Sequence, residues 1–137
     1  MITTSTLLEQ TAALSLSGFK QSLLLQSEDT KYQSLSFEER LFHLFEAEIN
    51  QRQDKRIKRM LTQANFKDKN ASLEQIQYLP KRKLDKSLIL SLANGDFINK
   101  NQNILLNGAT GTGKSFLMQA LARRCINLGH SAKYYRV

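Results

Sequence analysis

One glycine-rich run constrains the fold of this 137-residue chain more than any other stretch, and it ends in Lys114-Ser115. Gly108 and Gly113 stand at the two glycine positions of the pattern G-x-x-x-x-G-K-[ST], with Gly111 between them. Glycine allows backbone conformations that a Cβ atom would block, so successive N–H groups can turn toward one anion. The run therefore predicts a phosphate-binding loop.

The residues on either side of this run predict the fold around it. Residues 104–106, Ile-Leu-Leu, read as a short, fully buried parallel strand. Residues 114–128 carry apolar side chains at helical spacing, with Gly129 as a cap, and residues 132–137 have the β-propensity of a second strand. We expect an α/β protein, in which an all-helical N-terminal domain precedes a parallel-sheet phosphate-loop core.

The loop residues suggest individual roles in holding a nucleoside triphosphate. Lys114 would reach the β- and γ-phosphates, and Ser115 would place its hydroxyl on Mg²⁺. The alternative is a merely flexible glycine turn with an exposed lysine. The expected ligand set is Gly108, Ala109, Thr110, Gly111, Thr112, Gly113, Lys114 and Ser115.

The N-terminal half of the chain reads as helical. Thr3 to Thr6 offer N-caps for a first helix that would stop near Ser17-Gly18, with a second helix following. A capping box at residues 36–39, Ser-Phe-Glu-Glu, should start the longest helix, since no proline or glycine interrupts residues 36–70. Its apolar face would comprise Phe37, Leu41, Leu44, Phe45 and Ile49. We expect a helical domain over residues 1–70, a connector and helix over 71–100, and the core over 101–137.

A formal net charge of +8 favours anionic partners. Within the long helix, Arg52, Lys55, Arg56 and Arg59 form a basic run. This run is either a solvated helix face or a surface that contacts the phosphate backbone of a nucleic acid, and the sequence does not decide between them.

Several function classes are disfavoured by composition. The single cysteine, Cys125, cannot form an intramolecular disulfide or a cysteine-based zinc site, and we expect a buried, inert thiol. No apolar run approaches ~18 residues and no signal peptide is recognisable. The chain is expected to be cytoplasmic, with no membrane partner.

Acidic residues are missing where hydrolysis would need them. This class of site uses an aspartate on a second strand to help hold Mg²⁺, yet no Asp or Glu follows Asp96. We therefore expect a truncated core that binds a nucleotide and does not hydrolyse it.

The whole chain resembles the first half of the IstB-like transposition helper ATPases, DnaC-like members of the AAA+ superfamily. The resemblance rests on residues 36–41, Ser-Phe-Glu-Glu-Arg-Leu, on the helix at 84–98, and on the loop from Gly108 to Ser115. It implies ATP and Mg²⁺ as cofactors, with double-stranded DNA, a transposase and further copies of the chain as partners. The family's acidic Walker-B strand and arginine finger have no counterpart, so enzymatic activity is left open. The alternative is a basic helical DNA-binding or protein-interaction module with a non-functional ATPase remnant.

Overall fold

The computed structural model describes residues 1–109 and 111–136, which form two compact units. The first unit comprises Met1–Arg56 and the second Ile57–Val137. The predicted domain boundary at residue 70 remains a prediction.

The first unit is built from helices. They are α1 (Thr4–Ala13), α2 (Ser17–Glu28), a 3₁₀ turn (Thr30–Ser34) and the N-terminal part of α3 (Phe37–Ala64). The hydroxyl of Thr3 accepts a hydrogen bond from the amide of Thr6 at 3.4 Å, so the predicted N-terminal threonine cap is present.

Gly18 does not end a helix, and this part of the sequence prediction is wrong. The chain turns earlier, at Ser15, which has a φ of 58°, and Gly18 is a buried residue of α2. A Cβ atom at position 18 would lie 2.6 Å from the carbonyl oxygen of Ala47 and 3.0 Å from the Cα of Glu48. Glycine stands here because α2 approaches α3 too closely for any side chain.

The start of α2 is capped by a carboxylate from another helix. Leu16, at the N-cap position, offers no side-chain acceptor. Glu48 of α3 supplies it, since its Oε1 accepts from the amides of Gly18 at 2.9 Å and Phe19 at 3.2 Å. A negative charge is favourable at a helix N-terminus, so Glu48 ties α2 to α3.

The capping box that starts α3 is confirmed. The Glu39 amide donates to Ser36 Oγ, and the Ser36 amide donates to Glu39 Oε2, both at 3.2 Å. The helix runs for 28 residues and ends at Ala64, where Asn65 adopts a φ of 56°. The predicted longest helix is thus present, although it stops short of residue 70.

The predicted apolar face of α3 is only partly buried in its first half. Leu44 is buried, whereas Phe37, Phe45 and Ile49 are 72%, 54% and 52% exposed. Phe45 retains one aromatic neighbour, the ring of Phe19, in an edge-to-face arrangement.

The second unit packs around α6 (Lys114–Asn127). One apolar cluster joins Met60, Ala64, Phe66 and Ile126. A second joins Ile89, Leu117 and Leu121. The remaining elements of this unit are short: 3₁₀ turns at Leu73–Gln75 and Pro80–Arg82, α4 (Lys86–Leu92) and α5 (Asp96–Asn99).

The predicted parallel sheet is not found. No residue in the ranges 1–109 and 111–136 belongs to a strand, so the described fold is helical and not α/β. Ile104 and Leu106 pack against the cluster around Leu117, but Leu105 is 86% exposed. An extended chain alternates its faces, and a buried central strand needs cover on both. Residues 104–106 have cover on one face only, and no strand among the described residues pairs with them.

The predicted second strand is also absent from residues 132–136. The Tyr134 amide donates to the carbonyl of Ala64 at 2.7 Å, so it binds the end of α3 instead of a strand ladder. Val137, the last residue of that prediction, lies outside the described residues.

Two predictions about residue environments can be compared with the structure. Cys125 is buried, as expected, and burial raises the pKa of its thiol, although the positive charge of Arg124 acts the other way. Within the described ranges, no helix is both long enough and apolar enough to span a bilayer.

Candidate nucleotide-binding site

The phosphate-loop motif leads directly into the N-terminus of α6. Gly113 is the N-cap residue and adopts the left-handed conformation at a φ of 89°, and Gly111 has a φ of 81°. Residues with a Cβ atom rarely adopt such angles, which accounts for glycine at both positions. Because the N-cap has no side chain to accept a hydrogen bond, the first-turn amides of this 14-residue helix face outward with their partial positive charge.

Two side chains of the loop bind carbonyl oxygens of the loop itself. Lys114 Nζ donates to the carbonyl of Gly108, and the Thr112 hydroxyl donates to the carbonyl of Ala109 at 2.7 Å. These contacts hold the lysine folded back over the glycine run. Thr110 of the expected ligand set lies outside the described residues.

Ser115, expected to bind Mg²⁺, is exposed at the start of α6 and is oriented by a buried amide. Gln119, only 1% exposed, donates from Nε2 to Ser115 Oγ at 3.1 Å. Gln119 is itself fixed by Asp68, whose amide donates to Oε1 at 2.8 Å and whose Oδ2 accepts from Nε2 at 3.3 Å. One lone pair of the serine hydroxyl is therefore used by Gln119, and the Tyr134 hydroxyl lies 3.5 Å from the same oxygen, where either group can be the donor.

A cavity of about 670 Å³ opens beside the loop, within the range typical of small-molecule sites. It is lined by the loop residues Gly111 to Lys114 and by residues 75–84, which supply the apolar side chains of Ile76, Leu79 and Leu84 as well as basic and amide side chains. One side of the cavity is thus the glycine-rich loop, and the other is a segment with both apolar and basic side chains.

The charge of this cavity is positive. Lys81, Arg82 and Lys114 line it, and the described residues of its wall include no carboxylate. Together with the N-terminus of α6, these cations favour an anionic ligand.

Arg82 connects the two sides of the cavity. Its NH2 donates to the carbonyl of Thr112 at 2.9 Å, and its NH1 donates to the carbonyl of Gln77 at 3.3 Å. No local sequence pattern relates Arg82 to the loop, because 30 residues separate it from Thr112.

Asp68 and Gln119 are further residues that the sequence did not reveal. An acidic residue was expected downstream of the loop, whereas Asp68 lies upstream, 51 residues before Gln119. Gln119 is one helical turn from Ser115, but no local pattern links it to Asp68, which only the folded chain brings to Gln119.

The four candidate nucleic-acid contacts lie along α3 and are all exposed. Arg52, Lys55 and Arg56 belong to the first unit, and Arg59 belongs to the second. Arg52 Nε also donates to Glu48 Oε2 at 2.7 Å, so this arginine supports the carboxylate that caps α2.

The known proteins compared with this chain are named as ATP-binding proteins of insertion sequences. The profile of the IstB-like ATP binding protein family matches residues 9–137. A protein of Pseudomonas fluorescens named as the ATP-binding protein of insertion sequence IS1162 is 40% identical over 129 residues, which cover 94% of this chain and 56% of that relative. A Sinorhizobium fredii protein named as insertion sequence ATP-binding protein y4pL is 29% identical over 130 residues, 95% of this chain and 53% of its own length.

A third relative, named for insertion sequence IS21 of Pseudomonas aeruginosa, is 29% identical over 115 residues, covering 84% of this chain and 42% of its own length. The chain spans about half the length of the curated relatives that it matches. Since the family profile extends over residues 9–137, nearly the whole chain, the protein belongs to the IstB-like ATP binding protein family.

Proposed function

We propose that this chain binds ATP through residues 108–115 and acts as an ATP-binding helper in the transposition of an insertion sequence, with a transposase as its partner. The observation that carries ATP binding is the cation-lined cavity at the N-terminus of α6, whose described wall contains no carboxylate. The family and the names of its relatives support ATP as the nucleotide and an insertion sequence as the setting.

The two sides of the cavity suit the two ends of the nucleotide. The phosphates would lie against Gly108 to Ser115, where glycine amides, the helix N-terminus and Lys114 all favour negative charge. The base would lie against the apolar side chains of Ile76, Leu79 and Leu84. Nucleotide binding, and not turnover, is the activity that we propose.

The residues present also fit a Mg²⁺ ion bound together with the phosphates. Ser115 Oγ is exposed and Gln119 fixes its position, while its other contact, to the Tyr134 hydroxyl, is long at 3.5 Å and can be exchanged for a metal ion. No group of three or more His, Cys, Asp or Glu side chains clusters as a metal site among the described residues. Mg²⁺ commonly takes few protein ligands and completes its shell with phosphate oxygens and water, and it would add charge compensation at the phosphates.

Replacing Ser115 by alanine should remove the response of ATP binding to Mg²⁺. In isothermal titration calorimetry we expect Mg²⁺ to tighten ATP binding to the unaltered chain by about tenfold, the scale of one charge-assisted contact. Ser115→Ala should lose most of this gain while binding metal-free ATP unchanged. Ser115→Thr, which keeps the hydroxyl, should retain it.

An equal Mg²⁺ effect in Ser115→Ala and in the unaltered chain would remove Ser115 from the metal site. Absence of ATP binding by the unaltered chain, with or without Mg²⁺, would refute the proposed function itself.

We also propose that α3 contacts the phosphate backbone of double-stranded DNA. At 100° per residue, positions 52, 55, 56 and 59 fall within an arc of about 100° on one side of the helix, and all four side chains are exposed. Lys58 lies about 110° from the centre of that arc. Arg52 also has a structural partner in Glu48, so the test leaves Arg52 in place.

Removing two charges from this side of α3 should weaken DNA binding more than removing two charges elsewhere. In fluorescence anisotropy with a labelled duplex, Lys55→Gln combined with Arg56→Gln should lower the slope of log K against log salt concentration by about two, because two phosphate contacts are lost. The control, Lys20→Gln with Lys58→Gln, removes the same charge from two other exposed positions. Equal effects of both pairs, or binding that does not depend on salt, would contradict a DNA-contact role for this side of α3.

A further inference from the structure

We propose that Arg82 is a second phosphate-binding cation of this site, which recognises the β- and γ-phosphates of a nucleoside triphosphate from a segment outside the loop. The inference rests on the proposed ATP-binding function and extends it to a residue outside the glycine-rich motif. Arg82 belongs to the short turn Pro80–Arg82, and Thr112, whose carbonyl it contacts, lies 30 residues further along the chain.

The position of the Arg82 guanidinium group favours phosphate binding. A Cβ atom built on Gly113 would lie 2.7 Å from Arg82 NH2, so the guanidinium lies directly against the N-cap of α6. This is the place to which the outward-facing amides of the first helical turn would draw a phosphate. Glycine at 113 thus serves two needs, a φ of 89° and room for the arginine.

The hydrogen-bond acceptors of Arg82 also favour phosphate binding. Both of its hydrogen bonds go to neutral carbonyl oxygens, those of Thr112 and Gln77, and neither ion pair found among the described residues includes it. Lys114 is in the same state, since it donates to the carbonyl of Gly108. Phosphate oxygens are stronger acceptors than carbonyls, and the planar guanidinium fork matches them in a bidentate manner. Each cation can therefore exchange a loop carbonyl for a phosphate.

The local backbone holds Arg82 at this point. Pro80 fixes the first residue of the turn, and Lys83 ends it in the left-handed conformation at a φ of 51°. Leu79 and Leu84, on either side of the turn, both line the cavity.

The test compares two adjacent residues of equal charge. Arg82→Gln should weaken ATP binding by about tenfold or more, because a charge-assisted contact is lost, and should weaken AMP binding by less than about twofold, because AMP lacks the β- and γ-phosphates. Arg82→Lys keeps the charge without the planar guanidinium group, so its ATP affinity should lie between those of Arg82→Gln and the unaltered chain. Lys83→Gln removes the same charge one residue away and does not line the cavity, so it should bind ATP as the unaltered chain does.

Calorimetric titration with ATP, ADP and AMP, combined with a thermal melt of each variant, provides the readout. Equal weakening of ATP and AMP by Arg82→Gln would show that the arginine only shapes the loop, and it would overturn the inference. Equal ATP affinity of the Arg82→Gln and Lys83→Gln variants would overturn it as well. In both cases the unaltered chain still binds ATP, which distinguishes failure of this inference from failure of the proposed function.

Discussion

Lys114→Ala is expected to reduce ATP binding by more than about 100-fold, to below detection in a calorimetric titration. The lysine is the only loop side chain that can place a full positive charge on the phosphates, and losing two charge-assisted hydrogen bonds costs about 3–6 kcal/mol. In the structure, Lys114 Nζ binds the Gly108 carbonyl across the glycine run, so it already lies on the phosphate side of the loop.

The control for this variant is Lys100→Ala, which removes an exposed lysine of the same unit that does not line the cavity. It should bind ATP as the unaltered chain does. If Lys114→Ala retained ATP affinity within about threefold of the unaltered chain, the phosphates would not lie on this loop.

Among the substitutions proposed for this chain, Glu48→Ala should lower the free energy of unfolding the most, by about 2–3 kcal/mol. The carboxylate is 7% exposed and binds the amides of Gly18 and Phe19. Its removal leaves two donors at the start of α2 without their acceptor, and such unsatisfied groups cost about 1–3 kcal/mol each. Urea unfolding followed by circular dichroism measures the change.

Two variants of the same helix serve as comparisons for Glu48→Ala. Glu46→Ala removes an exposed carboxylate two residues away and should change stability by less than about 0.5 kcal/mol. Glu48→Gln keeps an acceptor oxygen without its charge, so its free energy of unfolding should lie between those of Glu48→Ala and the unaltered chain. Equal stability of the Glu48→Ala and Glu46→Ala variants would mean that Glu48 does not cap α2.

The contribution of Glu48 to stability should depend on pH. Burial acts to raise the pKa of this carboxyl, but the Arg52 guanidinium and the amides of Phe19 and Gly18 outweigh it and hold the pKa below its ordinary value of 4.5. A pKa that is lower in the folded than in the unfolded chain stabilises the fold above the unfolded value. The difference in the free energy of unfolding between the unaltered chain and Glu48→Gln should therefore be largest above about pH 5 and shrink as the pH falls below 4.5.

Helices that start from a local signal were predictable from the sequence. The capping box at Ser36 and Glu39 lies within four consecutive residues, and both of its hydrogen bonds are present. The helix after Gly113 was expected from its apolar spacing and runs over Lys114–Asn127. In these cases the interacting groups are neighbours along the chain, so a short stretch of sequence is enough to predict where the helix starts.

Features that depend on distant residues were not predictable in the same way. Gly18 read as a helix stop, and only the closeness of Ala47 shows why glycine is needed inside α2. Ile104 to Leu106 read as a strand from apolar content alone, which says nothing about whether a pairing strand is present. In the candidate site the motif predicted the loop, whereas Arg82 contacts Thr112 and Asp68 contacts Gln119 across long stretches of sequence.

If the chain holds a nucleotide by its phosphates at the start of α6, its affinity must depend on the number of phosphates, which a titration of the purified chain with ATP, ADP, AMP and adenosine in the presence of Mg²⁺ measures. We expect saturable binding of one ATP per chain, with affinity falling along this series as phosphates are removed. Equal affinity for ATP and adenosine, or no binding of ATP, would contradict it.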